Sequence, residues 1–499
     1  MITVTERETR TVQNFWNNIH FHPTDAIEDA WGQKILNTIA QDGAVQTIRM
    51  YAMLEDIVTR DETGALQYDF TLNDLRLDYL ISHGFTVLIC YAFQPPCIAA
   101  DENHLSSVSK NKTRYKGKMI NTSRVKDFDA WEEICYQYTR HIVDRYGLER
   151  VKTWYLQCYN EPDILQFFMG ELPNTPEAAM ERLPEYLKLY RGFARAVERV
   201  SPNLRIGQCI ACMLNFFEGF LKAAKEEQLK LDFICLHNYG APPAEVTDGT
   251  KRFSAHNNYE NHRAYQEIID RYFPEKPILT DEWGAMSWGF MNCEEYPVLT
   301  FRENSVFAVY FGKMITEYIE KRVKMEKMIL CLSGQHEMTV DFSGFRNFFT
   351  LHFIKKPIYN AFLLTKRLKE TVLSVTGTDE NLSVLPTKDV RGNYAILTAY
   401  ADEYFEKPLP ALNETLEIEA VRGDYHVRVW RIDETHTNPY TLFQRAGYTN
   451  DLTEEQIERL RAEGNMVPAE EYDAVFDGTA RIRLTATDNA LLLAELIKK

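Results

Sequence analysis

Two acidic residues stand where short apolar runs give way to polar ones. Glu161 follows Trp154-Tyr155-Leu156-Gln157-Cys158-Tyr159-Asn160 and precedes Pro162; Glu282 follows Pro277-Ile278-Leu279-Thr280-Asp281 and precedes Trp283-Gly284. Two carboxylates facing each other across a cavity suit hydrolysis of an acetal, because one protonates the leaving oxygen while the other attacks carbon or activates water. Other reactive groups end further apolar runs: Arg49 and Tyr51 beside Ile48, and His237-Asn238-Tyr239 after Phe233–Leu236. Spacing alone leaves plainer readings open. Glu161 also reads as a carboxylate at a helix N-terminus, favoured by the macrodipole. Glu282 also reads as a strand-end acid paired with a base, and His237 as an imidazole bonded to backbone.

Such residues meet only if the elements carrying them lie side by side. Strand-like runs are Thr47–Tyr51, Thr86–Tyr91, Thr153–Tyr159, Arg205–Ile210, Phe233–His237, Pro277–Thr280 and Met328–Leu332, with an eighth around Asn14–Phe21. Several are continuously apolar, as strands buried on both faces are. Between them, Trp131, Ile134, Cys135, Tyr138, Ile142 and Val143 recur at helical spacing, as do Tyr186, Leu189, Tyr190, Phe193, Val197 and Val200; Phe307–Ile319 reads as another helix. This alternation predicts an α/β fold, a (β/α)8 TIM barrel over residues 15–365. The alternative, an open doubly wound sheet, lacks its phosphate-loop signals. The 121 residues separating Glu161 from Glu282 are about three strand–helix units, which suits the fourth and seventh strands. Beyond about residue 365 the pattern becomes short strands and turn-rich pieces. It predicts an antiparallel β-sandwich over 366–499, with separate strands at Thr415–Ala420 and Tyr425–Ile432 around the turn Arg422-Gly423-Asp424. A helix at Thr453–Glu463 interrupts it, with Thr453 and Gln456 in capping-box positions. Residues 1–14 form an N-terminal segment, and Ile2–Thr5 is placed as a strand of the second domain.

Composition narrows the class. The 499 residues carry a formal charge of −16 and a pI near 5.4, which argues against nucleic acid or an anionic membrane as partner. The N-terminal residues carry no signal-like apolar region, and no run is long enough to cross a bilayer. Nine cysteines, an odd number, predict buried free thiols in a reducing compartment, and so a cytoplasmic protein. Cys209-Ile-Ala-Cys212 reads as two small apolar side chains in a buried strand rather than as a redox or metal pair. No His-Glu-x-x-His occurs, and His20-Phe21-His22 lacks a third ligand at recognisable spacing, so neither metal nor cofactor is expected.

The segment Trp154–Pro162 resembles the acid/base segment of clan A glycoside hydrolases, and of glycoside hydrolase family 39 in particular, which contains β-xylosidases and α-L-iduronidases. Asp232-Phe233 with His237-Asn238-Tyr239, Ile278–Trp283, Lys356–Phe362 and Arg431–Tyr440 resemble further ordered motifs of that family. The resemblance implies that Glu161 is the general acid/base and Glu282 the nucleophile, that Asn160 binds the sugar 2-hydroxyl, and that His237 lines the pocket. Arg49 and Tyr239 are placed to keep Glu282 ionised. Glu337 falls where family xylosidases bind sugar hydroxyls, and Phe167-Phe168 where the family has a Phe-Trp pair. Phe93 is a candidate pocket wall or plain core packing. Tyr51 stands where the family often has His, Tyr159 where Trp is common, and the eighth strand lacks a usual Trp. The implied activity is a retaining, exo-acting glycoside hydrolase acting on an oligosaccharide or glycoside without a cofactor. A β-xylosidase is the first expectation. Arabinose-, galactose- or glucose-releasing and iduronidase-like enzymes, or a non-catalytic carbohydrate-binding barrel, are the alternatives. By analogy, self-association is also implied.

Overall fold

The computed structural model describes residues 1–21, 27–106, 120–334 and 338–499. After the N-terminal strand β1 (Ile2–Thr11), eight strands form one parallel sheet. They are β2 (Asn18–Phe21), β3 (Thr47–Tyr51), β4 (Thr86–Tyr91), β5 (Tyr155–Cys158), β6 (Ile206–Gln208), β7 (Ile234–Ala241), β8 (Ile278–Met286) and β9 (Lys327–Leu332). Their order is β6-β5-β4-β3-β2-β9-β8-β7, and a parallel bridge from Gly207 to Phe233 brings the two ends together, so the ring is nearly closed. A helix follows each strand: α1 (Ala30–Asp42), α2 (Thr71–Ser82), α3 (Phe128–Tyr146), α4 (Pro176–Val200), α5 (Leu214–Glu226), α6 (His256–Tyr272), α7 (Ser305–Glu320) and α8 (Pro357–Thr365). This is a TIM-barrel-like fold.

Side-chain alternation along the strands stacks the interior in layers. Leu88, Tyr155, Phe233, Cys235, Leu279 and Ile329 form one apolar cluster. Two residues further along five of those strands come Cys90, Gln157, His237, Asp281 and Cys331, all buried. The apolar layer is therefore a floor beneath a polar one. Gly207 is required in this floor: a Cβ there would stand 2.3 Å from the ring of Phe233.

Helix ends follow local rules. Asp127 accepts from the Ala130 amide and Thr175 from the Ala178 amide, each closing a first turn. Pro357 begins α8, where its missing amide costs nothing.

Apart from a short antiparallel pair, Val58–Arg60 with Leu66–Tyr68, the remaining strands are β10 (Thr371–Thr376), β11 (Leu382–Lys388), β12 (Tyr394–Tyr400), β13 (Leu412–Ile432), β14 (Pro468–Ala486) and β15 (Ala490–Lys498). With β1 they form a seven-stranded sheet, order β1-β10-β11-β12-β15-β13-β14. The sheet is mixed rather than wholly antiparallel, because β1 also runs parallel to β13 through Ile2–Val4 and Leu416–Ile418. The two strands expected on either side of Arg422-Gly423-Asp424 are one continuous strand. Gly423 adopts φ 110° and a bulge lies between Glu419 and Val421, so the chain bends there without turning back. The helix α9 (Glu454–Gly464) carries the reciprocal capping box of Thr453 and Gln456. Among the described residues no helix is long and apolar enough to cross a membrane, and all nine cysteines are free thiols.

His262 on α6 is buried, and burial lowers its pKa to about 4. It therefore folds as neutral imidazole. Below about pH 6.5 the unfolded chain binds a proton that the folded chain refuses until about pH 4, so stability falls as pH drops through that window, by about 1.4 kcal/mol per unit. His262→Gln is expected to lose about 2 kcal/mol less than the parent protein between pH 6.5 and pH 5, measured by urea unfolding at both values.

Candidate active site

The polar layer opens at the C-terminal ends of the strands. Arg49, fully buried on β3, is its hub. Its Nη1 donates to Glu282 Oε1 at 2.7 Å, its Nη2 to Asn160 Oδ1 at 2.8 Å and to Gln157 Oε1 at 3.0 Å, and its Nε lies 3.0 Å from Asp281 Oδ2. A buried cation is tolerable only when paired and hydrogen-bonded, and here every nitrogen is engaged.

Asp281 and Glu282 are adjacent on β8, and a regular strand would aim them at opposite faces. A bulge removes the conflict. Thr280 pairs with Leu236 and Glu282 with His237 on β7, so Asp281 is the extra residue; the register against β9 shifts over the same stretch. Both carboxylates therefore reach Arg49.

The second acid hangs on a tighter turn. Tyr159 (φ 63°) and Glu161 (φ 46°) both adopt left-handed backbone, which costs energy for residues with a Cβ. The loop is held from below: the buried carboxylate of Asp163 accepts the amides of Ala211, Cys212 and Met213 at 2.8, 2.8 and 2.9 Å, where α5 begins. Arg182 of α4 donates to the carbonyls of Phe168 and Pro173 in the same loop.

His237 and Tyr239 share a face of β7. His237 Nδ1 lies 2.6 Å from Glu161 Oε1 and 3.6 Å from Glu282 Oε2, while its Nε2 lies 3.3 Å from Asp281 Oδ2 and 3.2 Å from Cys209 Sγ. The Tyr239 hydroxyl donates to Glu282 Oε2 at 2.6 Å and the Tyr51 hydroxyl to Oε1 at 3.3 Å. His20 Nδ1 is 3.2 Å from Oε1. One oxygen of Glu161 and one of Glu282 lie within 4.8 Å of each other.

These surroundings separate the two acids. Burial raises the pKa of Glu161, and the nearby charge of His237 offsets this only in part. Burial also works against ionisation of Glu282, but the charges of His237 and Arg49 and the bond from His20 outweigh it and hold Glu282 well below the usual carboxylate range. Environments that drive two carboxyls apart mark one as proton donor and the other as resident anion.

The sequence matches the model of glycosyl hydrolases family 39 over residues 1–478. The chain belongs to that family. It is 24% identical over 473 residues to a beta-xylosidase of Caldicellulosiruptor saccharolyticus, covering 90% of this chain and 88% of that one. It is 25% identical over 308 residues to the alpha-L-iduronidase of Canis lupus familiaris, covering 55% and 40%. Its fold superposes on a monomeric beta-xylosidase from Caulobacter crescentus CB15 with a TM-score of 0.80, at 21% identity and covering 100% and 99%. This family 39 chain is a glycosidase.

Of the residues expected at the site, Arg49, Tyr51, Asn160, Glu161, His237, Tyr239 and Glu282 converge. Phe168 does not join them: it is fully buried with its ring edge-on to Tyr159, offering no face to a sugar. Phe167 is half-buried and stacks on Phe93, which is itself packed between Tyr51 and Tyr159. Glu337 and His22 lie outside the described residues. Reasoning from sequence missed Asp281, Gln157, His20, Asp163, Cys209 and Arg346 as site residues. Gln157 was within reach, since it stands two residues after inward-facing Tyr155. So was Asp281, two residues after inward-facing Leu279; what the sequence hides is the bulge that turns Glu282 inward beside it.

Among the described residues, three groupings bring His, Cys and carboxylate atoms within 4.8 Å: His20 with Glu282 and Cys331, Cys209 with His237 and Asp281, and Glu161 with His237 and Glu282. The ion pairs and hydrogen bonds above account for this spacing, and no metal centre is assigned. A cavity of about 660 Å³ at the opposite end of the barrel, lined by Gln46, Tyr155, Ile278 and Lys327, lies away from all of these groups.

Replacing Arg49 by Gln strips the cation from two buried carboxylates. The variant is expected to lose about 3–5 kcal/mol of stability. Glu282 then holds its proton to higher pH, so the acidic limb of kcat/KM moves upward, read from a pH–rate profile alongside thermal unfolding.

Proposed function

We propose that this enzyme is a retaining, exo-acting glycoside hydrolase of the β-xylosidase type, with Glu282 as nucleophile and Glu161 as general acid/base. The observation that carries the reading is the approach of the two acids, with oxygens within 4.8 Å. Retaining enzymes hold their carboxyls ~5–5.5 Å apart, whereas inverting enzymes need ~6.5–9.5 Å to admit water. Glu282, ionised beneath Arg49 and Tyr239, attacks the anomeric carbon as Glu161 protonates the departing oxygen. A glycosyl ester forms on Glu282. Glu161, now a carboxylate, takes a proton from water, which releases the sugar with its original configuration. Asn160 supports the sugar 2-hydroxyl: its Oδ1 is fixed by Arg49, and its buried Nδ2 has no partner among the described residues. A buried donor left unpaired is costly until substrate fills the site.

A second reading, an iduronidase-like uronide hydrolase, is favoured by Arg346. Its guanidinium is buried, lies 4.8 Å from the ring centre of Tyr239, and pairs with no carboxylate among the described residues. A uronate carboxyl would supply the missing anion.

The barrel is read as the catalytic domain over 15–365. Residues 366–499, with 1–14, are read as an accessory β-sandwich whose two leaves are joined where β13 changes neighbours from β1 to β15. The free thiols fit a cytoplasmic location.

Incubation with an activated 2-deoxy-2-fluoro-xyloside is expected to leave a covalent sugar on Glu282, found by peptide mass mapping. Glu282→Ala is expected to lower turnover by several orders of magnitude while folding normally. Glu161→Ala is expected to keep cleaving dinitrophenyl glycosides in the first step but to lose about 10²–10⁴-fold on poor leaving groups. A nitrophenyl panel extended with an iduronide separates the two readings of the sugar.

A further inference from the structure

Most of the buried charges at the site have a role in the scheme above. Asp281 does not. It is fully buried, one residue before the nucleophile, and a bulge in the strand lets the two adjacent acids face inward together. Its Oδ2 accepts from Gln157 Nε2 at 2.7 Å and faces Arg49 Nε and His237 Nε2; its Oδ1 is buried without a partner among the described residues. Placing an extra anion beside Glu282 is electrostatically adverse unless it serves another group. The geometry names that group. His237 is spanned by carboxylates, Asp281 on Nε2 and Glu161 on Nδ1.

Resting on the reading of Glu161 as acid/base, we propose that Asp281 is a positioning residue that keeps His237 doubly protonated, so that His237 always donates Nδ1–H to Glu161 Oε1 and the catalytic proton rides on Glu161 Oε2. The arrangement balances charge. Arg49 and imidazolium His237 offset Asp281 and Glu282, leaving Glu161 neutral at rest. When Glu161 passes its proton to the glycosidic oxygen it becomes a carboxylate, and the imidazolium, keeping both of its protons, stabilises that new anion. When Glu161 takes a proton from water in the second half, the resting state returns.

The other titratable groups around His237 act in the same direction or weakly against it. Glu282 on β8 and Cys209 after β6 favour the charged ring, as do Asp281 and Glu161, and together they outweigh the burial that opposes it. Arg49 on β3 and His20 on β2 lie beyond the carboxylates. Cys235 on β7, Cys212 near α5 and Tyr265 on α6 complete the surroundings. A mere packing role for Asp281 would not need a second carboxylate on His237.

The test is Asp281→Asn, which keeps shape and removes charge. Nitrogen NMR of ¹⁵N-histidine-labelled parent enzyme between pH 6 and 8 is expected to give His237 with both nitrogens protonated, and the variant is expected to titrate within that range. The basic limb of kcat/KM for the variant is expected to move down by at least one pH unit. Its loss is expected to reach about a hundredfold for poor leaving groups and to stay within about tenfold for dinitrophenyl glycosides, which need no acid. A neutral His237 in the parent overturns the proposal, whether or not the variant folds. So does a variant whose basic limb is unmoved and whose loss is uniform across leaving groups. The NMR readout needs no turnover, so it stands or fails separately from the assignment of Glu161, which the Glu161→Ala leaving-group series decides.

Discussion

A guanidinium with no access to water must be surrounded by acceptors, and the interior of this barrel is organised by that demand. Arg49 draws together Glu282 and Asp281 from β8, Gln157 from β5 and Asn160 from the loop beyond it. Each of those partners has a second duty. Glu282 faces Glu161, Asp281 faces His237, and Asn160 offers its amide to the cavity. One buried cation therefore helps hold Glu282 ionised, fixes the orientation of the Asn160 amide and, through Asp281, touches the carboxylate that faces His237. The apolar floor of Leu88, Tyr155, Phe233, Leu279 and Ile329 keeps water from reaching the cluster from below, which strengthens every interaction above it.

The cost of this arrangement is visible in the backbone. Glu161 reaches His237 only because Tyr159 and Glu161 take left-handed conformations, and the loop remains there because Asp163 is bound by three amides at the start of α5. Strain at Glu161 and a bulge before Glu282 are local departures from ideal elements, each held by hydrogen bonds and charge pairing around it. The same logic separates the two carboxyls: a largely buried acid beside one imidazole keeps its proton, while an acid ringed by Arg49, Tyr239, Tyr51 and His20 gives it up.

Much of this was legible in the sequence, for definite reasons. Continuous apolar runs such as Val87–Tyr91 mark strands buried on both faces, and polar residues at their ends mark the mouth of a barrel, so Glu161, Glu282, His237, Tyr239 and Arg49 stood out. Period-two alternation placed Arg49 with Tyr51 and His237 with Tyr239. It could not show Asp281 and Glu282 facing inward together, because a bulge adds one residue with no compositional sign. It failed again at Gly423, where a turn-like triplet bends one long strand rather than ending it. Phe168 misled because an aromatic beside the acid loop serves packing as readily as sugar stacking, and only its complete burial distinguishes the two. Cys209 was read as an apolar filler, yet its thiol lies against His237, a contact that depends on three-dimensional convergence of β6 and β7.

The central claim is that the two acids sit close enough for direct attack on the anomeric carbon rather than attack by an interposed water. The anomer first released from a chromogenic xyloside or uronide, followed by proton NMR before mutarotation, addresses it most directly. Product with the substrate's own anomeric configuration is the result this account requires. Initial release of the opposite anomer would contradict it and would remove Glu282 as the attacking group.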